Sequence, residues 1–186
     1  QLYTLISTDT TWSATGSVTF AHNNDDVVDI AFLETDSQYI GIIAQENYQL
    51  KQWTYGGSAT TISAILGTTP MAKSVCVAAR RVVSLIAPHT LQWTPIFQYN
   101  SYPAASNVKV AQTNDVGICV KSLSSLSFVL YKERSIYVAK AQAGADSAAF
   151  SLAEPLIVEG PAGVHAVVVA GQTHIYMTAS GRVGLF

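Results

Sequence analysis

The sequence is poor in charge, and this scarcity limits the classes of protein to which it can belong. Only 12% of its 186 residues are charged and 49% are hydrophobic, whereas about a quarter of an ordinary globular domain is charged. Ten Lys and Arg against twelve Asp and Glu give a net charge of −2. The chain therefore lacks the basic surface of a nucleic-acid-binding protein. So little charge favours a chain that shares its surface with a partner in an assembly.

Cysteine and long apolar runs are scarce as well. Cys76 and Cys119 each lie inside an apolar run, where a small buried thiol is the simpler interpretation. A disulfide between neighbouring inner strands stays open, but two cysteines do not make the disulfide framework of a small secreted domain. No apolar run approaches the roughly 18 to 20 residues of a membrane-spanning helix, so we predict no membrane span.

Motifs of catalysis and metal binding are absent from the sequence. It contains no Gly-x-Ser-x-Gly, glycine-rich phosphate loop, His-Glu-x-x-His or Cys-x-x-Cys. Its histidines lack the short spacing of a metal-binding pair; they are His22, His89, His165 and His174. The acidic turn at 23–26 lacks the alternating oxygen ligands and closing glutamate of a calcium loop. We therefore predict no enzymatic activity, no metal and no cofactor, and we place His165 in an inner strand.

What the sequence does contain is a repeated pattern of short apolar segments. Over 26–66, four such segments alternate with polar turns, at 27–33, 39–44, 48–55 and 60–66. Segments rich in β-branched and aromatic residues between turn residues predict β-strands, and no stretch keeps a helical period between start and stop signals. Four strands joined by tight turns over about forty residues make one antiparallel meander, the size of one β-propeller blade.

The pattern recurs along the rest of the chain. A second unit spans 73–112 and a third spans 115–152, while the pieces at 1–20 and 164–186 supply a fourth with one strand to spare. We predict an all-β chain that forms a single β-propeller domain of about four blades. Two arrangements stay open, a closed ring with an irregular closing blade or an arc of a larger ring. A β-sandwich is the alternative fold, although sandwiches show no such long period.

Two turns resemble the Asp-box of sialidase-like propellers, which has the pattern Ser-x-Asp-x-Gly-x-Thr-Trp between the third and fourth strands. The first, Ser-Thr-Asp-Thr-Thr-Trp at 7–12, lacks the glycine and is shorter; the second, Gly-Ala-Asp-Ser-Ala-Ala-Phe at 144–150, has Phe in place of Trp. In that family the motif is a structural turn, so the resemblance implies a fold and no activity.

Sialidase chemistry, as that family implies, would need an arginine cluster together with a tyrosine nucleophile and an acidic partner. By the predicted strand order, two of the four arginines lie in turns on one face and two on the opposite face. They are Arg80 and Arg81, and Arg134 and Arg182. Because opposite faces do not share one site, a sialidase-like hydrolase ranks below the other functions.

Aromatic residues recur at matching positions in the predicted third strands. These residues are Trp53, Trp93 and Tyr137, with Tyr3 as a fourth member. Each buries a large area when it packs between sheets, and each offers a flat face on which a sugar can stack, as in propeller lectins. The carbohydrate-binding alternative makes Trp53, Trp93 and Tyr137 ligand-binding residues, although no Arg or Glu recurs beside them.

Charged residues are unevenly divided between the two faces of the predicted propeller. The loops between blades and the loops that join second to third strands open on one face, and they hold most of the charge. We predict that this is the interaction face, although loops are also simply where charged residues collect. Its residues are His22, Asp25, Asp26, Glu46, His89, Lys132, Glu133, Arg134 and Arg182.

The repeated units, the low charge and the missing catalytic motifs favour a non-enzymatic binding or assembly module. We expect it to contact a protein partner or copies of itself, for example within a virus particle or another large complex. A carbohydrate-binding propeller is the alternative from a different class.

Overall fold

The strands of the protein follow one another with short connections. The structure is a computed structural model that describes residues 3–5, 12–14, 27–35, 38–54 and 62–186, the first two ranges as backbone only. Within these residues, helical structure is limited to two 3₁₀ turns, and no helix is long and apolar enough to cross a membrane. The strands are β1 (Tyr3–Leu5), β2 (Trp12–Ala14), β3 (Val28–Glu34), β4 (Tyr39–Gln45), β5 (Lys51–Thr54), β6 (Ile62–Ala64), β7 (Ser74–Ala78), β8 (Arg81–Ile86), β9 (Thr90–Trp93), β10 (Asn107–Lys109), β11 (Gly117–Ser124), β12 (Ser127–Lys132), β13 (Ile136–Ala141), β14 (Phe150–Leu152), β15 (Val167–Ala170), β16 (Thr173–Met177) and β17 (Val183–Leu185).

Strands that are neighbours in sequence pair with each other in antiparallel sheets. Three sheets are complete four-stranded meanders, β3 to β6, β7 to β10 and β11 to β14. β15 to β17 form a three-stranded sheet, and β1 pairs with β2. The all-β prediction is confirmed, and each unit predicted to be a full blade contains one four-stranded sheet.

Successive sheets stack face to face, and apolar side chains fill each space between them. Because side chains alternate along a strand, β12 serves two interfaces: Phe128 and Leu130 face the β7–β10 sheet, while Val129 and Tyr131 face the β15–β17 sheet. All four are 0% exposed, which explains why the centre of the strand, at 128–131, is apolar without interruption. The interface between the first two complete sheets is built in the same way from Leu33, Ile40, Ile42, Val75 and Val82.

The first strands of the three complete sheets are joined by a buried polar network. The Lys121 ammonium in β11 lies 2.7 Å from the Asp29 carboxylate in β3, and the Ser74 hydroxyl in β7 donates to the same carboxylate. The Val120 amide donates to the Ser74 hydroxyl at 3.0 Å. Removing one member of a buried ion pair costs several kcal/mol, so this network holds three sheets at a fixed spacing.

The outer face of the β15–β17 sheet is apolar and exposed. The strand register places Val168 beside Ile175, Ile175 beside Leu185, and Met177 beside Val183. These five side chains are between 42% and 75% exposed. On the opposite side of the same sheet, Val167 and Tyr176 are buried against β11 and β12. The outer face of this sheet thus carries apolar side chains like those of the buried interfaces, but here they are exposed.

Two details differ from the sequence analysis or settle its alternatives. His165 does not lie in an inner strand: it is exposed in the 3₁₀ turn Val164–Ala166, and β15 begins only at Val167. The turn forms because the Ala166 amide donates a hydrogen bond to the Gly163 carbonyl at 3.0 Å.

Cys76 and Cys119 are free buried thiols that face different interfaces, so no disulfide joins them.

Closure of the ring stays a prediction. The described backbone of β1 and β2 forms a two-stranded sheet, and β15 to β17 form a separate three-stranded one. The remaining residues of the segment at 1–20 lie outside the described residues.

Candidate protein-binding face

The loops between sheets and the turns that join second to third strands meet on one side of the protein, as predicted. In the second sheet, the Pro88 carbonyl accepts a hydrogen bond from the amide of Gly117, the first residue of β11, and the His89 carbonyl accepts one from Val110, in the connection to the third sheet. In the third sheet, the Glu133 amide donates to Val116 in that same connection at 3.0 Å. The β8–β9 and β12–β13 turns therefore lie on one face.

A buried ion pair holds the β12–β13 turn from beneath. The Lys132 ammonium is 0% exposed and lies 3.0 Å from the Asp115 carboxylate, which is 7% exposed. It also donates to the Thr113 carbonyl at 2.8 Å and to the Thr113 hydroxyl at 2.9 Å. Lys132 was predicted to belong to the interaction surface; that prediction is wrong, because these bonds take its charge into the interior.

Asp115, the second member of this ion pair, also accepts hydrogen bonds from the residues that follow Lys132 in the turn. Its carboxylate accepts hydrogen bonds from the Arg134 amide at 2.8 Å and from the Ser135 hydroxyl at 2.9 Å. Burial alone raises the pKa of Asp115, but hydrogen bonds from Thr113, the Arg134 amide, Lys132 and Ser135 outweigh burial and lower the pKa to about 2. Asp115 is therefore a permanent anion that fixes the backbone of the turn.

The anchored turn displays Glu133 and Arg134, both exposed. The Glu133 carbonyl accepts a hydrogen bond from the Gly160 amide at 2.9 Å. A Cβ at position 160 would collide with the Lys132 carbonyl oxygen, so only glycine allows this close approach. The approach brings the connection between the third and last sheets, which contains Glu159, against the turn.

Glu159 ties this connection to the next turn of the face. Its carboxylate accepts hydrogen bonds from the Ser180 amide at 2.9 Å and the Ser180 hydroxyl at 2.6 Å. These bonds, the one from the hydroxyl first, lower the pKa of Glu159. Exposed Arg182 lies in the same β16–β17 turn, where its amide donates to the Thr178 hydroxyl at 3.1 Å. Three loops are thus linked by hydrogen bonds into one platform.

Apolar side chains lie between the charges of this platform. Ile157 and Val158 are 71% and 43% exposed. Together with Ile118, Glu133, Arg134 and Glu159 they line a cleft of about 740 Å³. A wide cleft that mixes aliphatic side chains with both signs of charge fits the surface of a folded partner better than a small enclosed ligand.

Sequence reasoning missed the apolar part of this surface. No apolar residue of the segment at 155–163 was predicted to belong to the interaction face. The segment's Leu-Ile-Val run at 156–158 is an apolar segment beyond the four that form the strands of the third unit, and this surplus is the signal by which it can be found. A short apolar run that no strand requires is a candidate contact surface.

The other residues predicted for the interaction face vary in their placement. Glu46 is exposed in the β4–β5 turn, and His89 is half-buried in the β8–β9 turn. His22, Asp25 and Asp26 lie outside the described residues. The described residues contain no group of three or more His, Cys, Asp or Glu that could hold a metal ion.

The recurring aromatic residues do not form a row of exposed platforms. Trp93 is 2% exposed, its indole donates to the Asp146 carbonyl at 2.6 Å, and its ring meets Phe150 edge to face. Tyr137 is 0% exposed, and its hydroxyl bonds to that of Thr113. Both therefore pack between sheets, and neither ring offers a face to a sugar as the carbohydrate-binding alternative requires.

Trp53 differs from the other two because it is half-buried. Its ring lies edge to face with Phe32 at a centroid distance of 6.0 Å. A Cβ on Gly41 would approach both rings, so the glycine gives them room on the sheet surface. The side chain of Tyr3 lies outside the described residues.

The segment at 144–150 that resembles an Asp-box serves as a connection between sheets. The Asp146 carboxylate pairs with Arg81, whose guanidinium also donates to the Thr94 carbonyl at 3.0 Å. Together with the indole bond to Asp146, these contacts fasten the third sheet to the second. Most of the segment at 7–12 lies outside the described residues, and a sialidase-type turn is not shown.

Neither a protein-family model nor a curated protein matches the chain. Solved structures of β-propellers do match. BamB from Moraxella catarrhalis matches with 12% identity over 89% of this chain and 48% of its own, with a TM-score of 0.53. YCF48 from Cyanidioschyzon merolae matches with 14% identity over 84% of this chain and 49% of its own, with a TM-score of 0.55.

The N-terminal part of BBS1, solved in complex with ARL6DN, matches with 12% identity over 84% of this chain and 46% of its own, with a TM-score of 0.51. At these identities the likeness shows the fold alone. The chain has a β-propeller fold and spans about half the length of these three structures. The β-sandwich alternative is thereby excluded.

Proposed function

We propose that this propeller is a non-enzymatic module that binds a protein partner through the loop face formed by Glu133, Arg134, Ile157, Val158 and Glu159, with Arg182 at its edge. The single observation that carries the proposal is the rigid support of this face. The buried Lys132–Asp115 pair fixes its backbone from beneath.

Rigid support matters because binding is weakened by the entropy lost when loops and side chains become ordered. Here the Arg134 amide is bonded to Asp115 and the Gly160 amide to Glu133 in the unbound protein. The loops therefore lose little further freedom on binding. Preorganised loops that carry an apolar centre and a charged rim are typical of protein interfaces.

The charges of this face suit recognition better than acid–base catalysis. A general acid or base works best when its pKa lies near the working pH. Hydrogen bonds lower the pKa of both Asp115 and Glu159, which keeps the two groups ionised near neutral pH. The comparison with BBS1 adds support of a general kind, because that propeller was solved in complex with another protein.

The exposed outer face of the β15–β17 sheet supports the assembly part of the proposal. Every described interface between blades joins two sheets through apolar side chains, and this face carries the same kind of side chain but is left exposed by the described residues. We propose that a blade of a second copy of this chain covers it in an assembly. Light scattering over a range of concentrations tests this: the wild-type chain should self-associate through the face, and the double variant Val183→Lys/Leu185→Lys should stay monomeric. A wild-type mass that stays monomeric at every concentration would contradict it.

Photo-crosslinking in the cells that make the protein tests the loop face. A photo-reactive amino acid replaces Ile157 in one variant and Lys109 in a control, since Lys109 is exposed on the outer strand β10. We expect a discrete adduct from position 157 and none from position 109. Excess wild-type protein, added before crosslinking, should prevent formation of the adduct by binding the partner, whereas excess Arg134→Glu/Val158→Asp protein should not. Identical adducts from both positions, or equal competition by both proteins, would refute the proposal.

A further inference from the structure

A groove crosses the face of the protein opposite the loop face. Its first part is a cleft of about 650 Å³ lined by Phe32, Glu34, Tyr39, Arg80 and Phe97, among others. Its second part, of about 580 Å³, runs on past Ile96, Leu126 and Ala141. The two parts share Arg80 and Ser125. The groove therefore passes the β3–β4, β7–β8 and β11–β12 turns of three sheets, with Arg80 at its middle.

The β7–β8 turn carries an unusual sequence for its shape. It has two residues, Ala79 and Arg80, with φ of 51° and 57°. Two-residue hairpin turns with positive φ at both positions are normally built from Asn-Gly or Asp-Gly, which adopt this conformation at little cost. Phe97 beside the turn also has a positive φ, of 59°. Three residues with large or methyl side chains are thus held in a conformation that favours glycine.

Contacts from outside the turn hold this strained backbone. The Ala79 amide donates to the Ser125 carbonyl of the third sheet at 2.7 Å. The Phe97 amide donates to the Arg80 carbonyl at 2.8 Å. Strain that the surroundings maintain is concentrated at functional sites in proteins, and here its result is that one arginine side chain stands in the groove.

Arg80 is free to bind an anion. Its guanidinium lies over the Phe97 ring, 4.8 Å from the centroid, which orients the planar group and leaves its edge open for a bidentate carboxylate contact. The neighbouring Arg81, by contrast, is buried and pairs with Asp146. None of the described carboxylates forms an ion pair with Arg80. The only described carboxylate among the lining residues, Glu34, accepts a hydrogen bond from the Tyr39 hydroxyl at 3.1 Å.

The walls on both sides of Arg80 are apolar and exposed. Phe32 and Tyr39 on one side are 56% and 53% exposed, and Ile96 and Leu126 on the other are 49% and 61% exposed. Apolar side chains concentrated along one groove mark a binding site. Their arrangement about a central cation complements a ligand with apolar groups on either side of an anion.

We propose that this groove binds an extended peptide segment in which one Asp or Glu lies between apolar side chains. The carboxylate pairs with Arg80, one apolar side chain packs on Phe32 and Tyr39, and the other packs on Ile96 and Leu126. A small carboxylate would occupy only the middle of the groove. This site is distinct from the loop face and adds a second, opposite binding surface.

Fluorescence anisotropy with two labelled heptapeptides tests the proposal. The first has a central glutamate flanked by leucines, and the second has glutamine in its place. We expect the glutamate peptide to bind wild-type protein about tenfold more tightly, the size expected for one charge-assisted contact. Arg80→Gly should abolish that preference, while Arg182→Gln, on the other face, should leave it unchanged.

Arg80→Gly is the decisive variant because glycine suits the positive φ at this position. The variant should unfold at the same temperature as the wild type or at a higher one, so lost binding cannot be attributed to a lost fold. Equal binding of both peptides to the wild type, binding of neither, or an unchanged preference in Arg80→Gly would each overturn the proposal. Binding of a glucuronate oligosaccharide in place of the peptide would also overturn it.

This test is independent of the one for the loop face. Arg134→Glu/Val158→Asp should lose the cross-linked partner and keep the peptide, and Arg80→Gly should do the reverse.

Discussion

The two faces of this propeller use charged turn residues in opposite ways. On the loop face, the β12–β13 turn draws Lys132 inward, where it is 0% exposed and paired with Asp115; the turn is rigid because that charge is buried. On the groove face, the β7–β8 turn holds Arg80 outward over Phe97 at the cost of a strained backbone. Whether a charge in a turn supports a surface or belongs to it thus depends on the partners that reach it.

The largest effect is expected where the groove face is fastened to the core. Trp93→Ala should lower the free energy of unfolding by about 4 kcal/mol, because it removes a buried indole that packs on Phe150 and bonds to Asp146. Urea unfolding measures the loss, and Trp53→Ala, at a half-buried site, is the matched control with a smaller loss. Binding of a glycan that Trp93→Ala abolishes without loss of stability would revive the carbohydrate-binding alternative.

The corresponding anchor of the loop face should be nearly as important. Lys132→Met should cost about 3 kcal/mol in unfolding free energy, because it leaves the Asp115 carboxylate buried without its cation. Arg134→Ala changes an exposed charge in the same turn and should cost at most about 0.5 kcal/mol. Equal losses in the two variants would show that burial does not distinguish these neighbouring residues.

Acidification should remove a smaller contribution to the free energy of unfolding, that of Asp115 on the loop face. Because the folded pKa of Asp115 is lowered from 3.8 to about 2, its contribution is fully present above pH 4 to 5 and is lost as the pH falls toward 2. That contribution is about 2 kcal/mol. Unfolding of wild type and Asp115→Asn should therefore differ at neutral pH and converge near pH 2. A constant difference between them at all pH values would contradict the assignment.

The strand pattern was predictable because it depends on local sequence. Short apolar runs separated by turn residues located each of the three complete meanders. Burial of β12 on both faces was not predicted, although its residues at 128–131 form an unbroken apolar run. The likeness to solved propellers then confirmed the fold class. Closure of the ring is a longer-range question, and it stays a prediction.

The state of each charge was not predictable because it depends on contacts distant in sequence. Lys121 meets Asp29 across a separation of 92 residues, and Arg81 meets Asp146 across 65. Lys132 and Arg134 look alike in sequence, yet one is buried and the other exposed. The positive φ of Arg80 likewise escapes sequence reasoning, because the residues that usually adopt it are absent.

Native-state hydrogen exchange of the β12–β13 turn tests the central claim, that a buried ion pair preorganises the loop face. The amides of Glu133, Arg134 and Gly160 should be protected in the wild-type protein, since each has a hydrogen-bond acceptor within 3.0 Å. In Lys132→Met these three should lose their protection while the Ala79 and Phe97 amides of the groove face keep theirs. Wild-type amides at 133, 134 and 160 that exchange as fast as those of an unstructured peptide would contradict the account.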